Sequence, residues 1–110
     1  MFKFIKSLRN RKNVRTFESG KYMHGRLAAT RSRRLMEILY AAAEAEGKNV
    51  YELDLLFFKT DDGRLYVNPS PDVEEKYMSG PIQDISCDEE FLTVIAQHGE
   101  KSFETQFVLA

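Results

Sequence analysis

The stretch LAATRSRRLMEILYAAAEAE, residues 27–46, decides how the chain is read. Leu27, Leu35, Ile38, Leu39, Ala42 and Ala43 fall at the spacing that lines one side of a helix. Ala41, Ala42, Ala43 and Ala45 add high helix propensity and permit close approach to a neighbouring element. Gly47 suits the left-handed position just past a last turn. The spacing predicts one long central helix that begins somewhere from Arg26 to Thr30, with Thr30 as the N-cap of a late start.

The charge of the chain changes sign inside this stretch. Up to Arg34 there are eleven Lys and Arg against one acid, Glu18; from Leu35 onward there are five against sixteen. The two parts carry +10 and −11, which sum to the net charge of −1. Arg31, Arg33 and Arg34 lie early in the expected helix, and Glu44 and Glu46 late, so the charges oppose the helix dipole. Each such mismatch costs about 0.3–1 kcal/mol at low salt, which points to arginines placed for a partner.

Upstream, Met1–Lys12 puts Phe2, Ile5 and Leu8 on one helical face among Lys3, Lys6, Arg9 and Lys12. That pattern suits a short basic amphipathic helix, while Phe2 and Phe4 flanking Lys3 suit a short strand. Asn13–Gly25 has no sustained period and reads as a loop or extended arm carrying Arg15, Lys21, Phe17 and Tyr22. Basic residues interleaved with aromatics can pair and stack on a single nucleic-acid strand. The reading favoured for Phe17 and Tyr22 is that both anchor the core. Residues 1–25 are thus expected to form a basic arm, and residues 26–110 a compact domain.

Downstream, Val50–Val67 reads as a β-hairpin about the turn Asp61-Asp62-Gly63. Asn49 and Glu52 stand at capping-box spacing, which competes with a strand from Val50; the strand is preferred. Ser70 and Pro71 suit the start of a short helix running to Met78. A short strand is expected over Pro81–Ser86, and a second hairpin from Phe91–Gln97 and Ser102–Leu109. In its last strand Phe103, Thr105, Phe107 and Leu109 share one face. The sum is an α+β fold, with one long central helix packed on a mostly antiparallel sheet of about five short strands, plus one or two short helices.

At 110 residues the chain suits one domain that buries roughly two-thirds of its unfolded surface. Cys87 is the only cysteine, so neither an intrachain disulfide nor a cysteine zinc site can form, which fits a cytoplasmic compartment. No uncharged apolar run approaches a membrane span, and Lys3, Lys6 and Arg9 break up any secretory signal.

Catalytic motifs are missing from the sequence. Cys87 with His24 or His98 has no spacing typical of a nucleophile and its base, and Asp88, Glu89 and Glu90 disfavour a thiolate. No His pair stands at i, i+4, and no calcium loop, phosphate loop or dinucleotide fingerprint is present. The expectation is a non-enzymatic regulatory or accessory module with no cofactor and no metal. Lys12, Arg15, Lys21, Arg26, Arg31, Arg33 and Arg34 are its candidate contacts to nucleic acid, a nucleoprotein or another anionic partner.

The alternative is a protein–protein regulator or inhibitor, of the kind a virus or plasmid encodes, that docks through the acidic two-thirds. In a third reading the two charged parts answer each other, within one chain or across a homodimer. The alanine stripe and the strand Ser102–Leu109 are the candidate dimer surfaces.

Overall fold

Alternation, not helical period, governs residues 23–30. A computed structural model describes residues 17–110; the expectations for Met1–Lys12, and for Lys12 and Arg15, fall outside them. Met23, Gly25 and Leu27 face inward, and His24 and Arg26 face out, on strand β1 (Met23–Thr30). The expected helix is therefore cut to α1 (Arg33–Glu46). Two hydrogen bonds divert the segment between. The Arg31 amide donates to the Glu104 carbonyl at 2.9 Å, and the Ser32 amide to Thr30 Oγ1 at 3.1 Å. Ser32, not Thr30, is the N-cap: its extended backbone turns the chain, and its Oγ accepts from the Leu35 amide at 3.1 Å.

Gly47 ends α1 as its sequence suggests. At φ 65° it lets the Lys48 amide reach the Ala43 carbonyl at 2.9 Å and its own amide reach the Glu44 carbonyl at 3.2 Å. Asn49 and Glu52 then form a true capping box on a single 3-10 turn, Val50–Glu52. This replaces the strand expected from Val50; β2 (Leu55–Lys59) starts only after it.

The strands that follow are β3 (Arg64–Asn68), β4 (Tyr77–Cys87), β5 (Phe91–His98) and β6 (Lys101–Leu109). Each pairs antiparallel with the next, and β1 pairs with β6, so the sheet closes into a six-stranded barrel. This overturns the α+β layer of a long central helix on a sheet. The helical stripe does reach the core through Leu35, Ile38, Leu39, Ala42 and Ala43, but from a short helix packed where β1 ends and β4 begins. With Ala42 and Ala43 inside and β6 paired on both sides, neither expected dimer surface is free in the form foreseen.

Local chemistry sets the register. Gly63, at φ 78°, closes the three-residue turn of β2 and β3 with Thr60 and Arg64 hydrogen-bonded across it at 2.8 Å. Gly99, at φ 68°, opens a two-residue turn between the paired His98 and Lys101. No helix forms after Ser70. Its Oγ accepts from the Asp72 amide at 3.2 Å, and the Lys76 ammonium donates to the carbonyls of Ser70 and Val73. The register of β4 shifts between Met78 and Pro81 against β3, and again between Ile82 and Asp84 against β5, as its pairing passes from one to the other. The interior is filled by side chains, with Phe57 stacked on Phe107 at 4.3 Å.

Candidate functional site

The basic residues singled out in the sequence separate into two groups. β1 carries the first. Arg26 is exposed on its outer side, opposite Val108. Lys21, just before the strand, is exposed and held by Glu18 at 2.5 Å. The hydrogen bond and charge of Glu18 raise the Lys21 pKa above its ordinary value. An exposed pair of this kind contributes little to stability and exchanges readily for another anion.

The second group, Arg31, Arg33 and Arg34, lies at the other end of β1, around the start of α1. All three are exposed. Arg34 pairs with Glu75 at 3.5 Å, which supplies the acid that the first turn of α1 itself lacks. Arg31 borders an open groove of about 380 Å³ with Ala29, Thr30 and Glu104. Ten residues of extended chain separate Lys21 from Arg31, on the order of 25 Å along a coiled strand. The structure does not gather the five arginines and lysines into one patch.

It does gather a set of rings that the sequence reading left dispersed. Phe17 is buried as expected, edge-on to Phe57 at 6.5 Å. Tyr22, expected beside it in the core, is instead 58% exposed. Its ring stands edge-on to Phe58 at 4.7 Å, and Phe58 lies 4.7 Å from Tyr66 at a 35° tilt. Phe58 and Tyr66 are register partners, as are Tyr66 and Met78, so the row runs from Tyr22, just before β1, across the outside of β2, β3 and β4. Alongside runs a second row of register partners, His24, Leu56 and Asn68. One part of this was readable in advance. A three-residue turn at residues 61–63 forces Phe58 opposite Tyr66.

The residues weighed for a nucleophile do not converge. Cys87 is buried at the end of β4, and its thiol faces the Asp88 carbonyl at 3.8 Å. His98 lies at the far end of β5, stacked on Tyr77 with centroids 6.2 Å apart. His24 is on the outer side of β1. Among the described residues, no three His, Cys, Asp or Glu side chains are grouped as a metal ion would require. No helix among them is long and apolar enough to cross a membrane. Compared with protein-family models, with curated proteins and with solved structures, the chain matches none.

Proposed function

We propose that this is a non-enzymatic, cytoplasmic binding module that meets the phosphates of a nucleic acid with the basic residues at the start of its chain. One observation carries the reading. Residues 1–16 hold six Lys or Arg and no acid. They join the barrel at Phe17, which is locked into the core, while Ser19 bridges to Lys59 and the Gly20 amide bonds the Lys59 carbonyl at 2.8 Å. The outer side of β1, with Lys21 before it and Arg26 on it, continues from that anchor.

Lys12, Arg15, Lys21 and Arg26 form the primary contact in this reading, and Arg31, Arg33 and Arg34 a second one at the far end of β1. No base-reading motif accompanies them, so the protein meets mainly phosphate and affinity falls steeply with salt. The test is a salt titration of binding to single-stranded and duplex oligonucleotides by the full chain. Lys21→Ala with Arg26→Ala should weaken binding and lower the salt slope by about one for each phosphate no longer neutralised. Binding that ignores salt and both substitutions, or a protein partner that remains bound at high salt, would replace the nucleic acid in this role.

A further inference from the structure

We infer that Tyr22, Phe58 and Tyr66 are a stacking platform for the bases of a single-stranded nucleic acid. The inference rests on the nucleic-acid reading above and narrows it to one form of the polymer.

Cross-strand aromatic pairs stabilise sheets on their own account. That explains why Phe58 touches Tyr66, since they are direct register partners on β2 and β3. It does not explain the two ends of the row. Tyr22, at 58% exposed, and Met78, at 46%, leave large apolar surfaces in water on either side of the half-buried pair. A contiguous exposed patch of this kind marks a binding surface.

The shape and charge around the row select the occupant. It lies on the outside of a barrel, so it presents a surface rather than a cavity that would enclose a small ligand. Its first ring stands between Lys21 and the outward Arg26, beside the point where the acid-free residues 1–16 join. Of the acids at this end of the barrel, Glu18 pairs with Lys21 at 2.5 Å and Asp62 with Arg64 at 3.0 Å, while the Asp61 carboxylate lies close to Gly20. Arg26 and the six basic residues of the acid-free stretch 1–16, next to exposed rings, suit a polyanion that also offers flat apolar faces. A single strand offers such faces, whereas a duplex keeps its bases stacked on one another.

The span fixes the scale. Tyr22 and three strands at ~4.8 Å spacing give a row roughly 14 Å long, enough for about three bases. His24 and Asn68, in the adjacent row, lie within reach of base edges or sugars.

The experiment measures fluorescence anisotropy of labelled dT12, U12 and a 12-base-pair DNA duplex with the full chain at low salt. The expected result is single strands bound at least tenfold tighter than duplex. Tyr22→Ala should weaken dT12 binding by roughly tenfold, Tyr22→Phe should restore it, and the salt slope should stay that of the parent in both. Tyr22 is largely exposed, so its truncation leaves the barrel folded, which a melting curve verifies. Equal affinity for duplex and single strand, or parental affinity in Tyr22→Ala and Tyr66→Ala, would overturn the platform while leaving phosphate binding intact. Absence of binding to all three nucleic acids would overturn both.

Discussion

Gly25 lies so close to Val108 that a methyl group on its Cα would sit 2.3 Å from the Val108 carbonyl oxygen. Gly25 is also where β1 pairs on both sides at once, with Leu55 of β2 and Leu109 of β6. The seam of the barrel therefore closes over a position with no room for a side chain. Gly25→Ala should push β6 away and cost on the order of 3 kcal/mol, read as a lower urea midpoint. Gly80→Ala, whose added carbon would lie 2.8 Å from the Gln97 carbonyl oxygen, should cost less. Equal stability of Gly25→Ala and the parent would mean that the seam gives way easily at this point.

Ser32 links α1 to the barrel as well as capping it. Its side chain serves the Leu35 amide and lowers the pKa of Tyr77, a buried residue at the start of β4. Ser32→Ala should cost about 1 kcal/mol through loss of the cap. Thermal melts of the two proteins give the difference, and matching curves would deny Ser32 its capping role.

Burial raises the Tyr77 pKa above its ordinary value of 10.0, and the bond from Ser32 partly offsets that rise. The folded chain thus keeps this phenol protonated where the unfolded chain has begun to ionise. The resulting stability is fully present below pH 10 and is lost as pH climbs from there through the folded-state value. Denaturation midpoints between about pH 9 and pH 11 should fall less in Tyr77→Phe than in the parent. Parallel curves for the two proteins would remove Tyr77 as the source.

Phe17 is buried in the core at the point where the proposed basic arm begins. Phe17→Ala should cost roughly 3–5 kcal/mol, as for other buried aromatic truncations. Phe17→Leu, which keeps an apolar anchor, should recover much of the stability and of the oligonucleotide affinity. Affinity unchanged in a folded Phe17→Ala variant would show that the arm needs no anchor.

The separation of the two basic groups predicts a length dependence. A tetranucleotide held near Tyr22 is too short to reach Arg31, Arg33 and Arg34, on the order of 25 Å away. Replacing those three arginines by Ala should leave dT4 binding unchanged and weaken dT18 severalfold. Competition titrations with the two oligonucleotides provide the readout, and equal weakening of both would place the arginines beside the rings.

The tight turns and strands β3, β5 and β6 were mostly legible because local chemistry sets them. By contrast, β4 runs from Tyr77 to Cys87, through the end of the expected helix and well past the short strand expected over Pro81–Ser86. Gly63 and Gly99 stand where tight turns require positive φ, and alternation assigned Thr105, Phe107 and Leu109 to one face. Residues 27–30 are ambiguous because Leu27, Ala28 and Ala29 suit a helix as well as a strand. Their state is decided by β6, where Thr30 Oγ1 meets Thr105 Oγ1 at 2.7 Å from 75 residues away. No local window contains that pair, and without it the barrel reads as an open layered sheet. The candidate site divides in the same way. The pairing of Phe58 with Tyr66 follows from the turn, whereas the exposure of Tyr22 depends on β1 being a strand at all.

That same closure between the first strand and the last has a kinetic meaning. Hairpins such as β2–β3 and β5–β6 can form as soon as their turns exist, but β1 must wait for β6 and pay the entropy of a long loop. During synthesis, Arg26 and Leu27 stay without their partners on β6 until Phe107 and Val108 have been made. Sealing the barrel should thus be a late and slow folding event, and any chain stopped short of β6 would be left with two open strand edges available to other molecules.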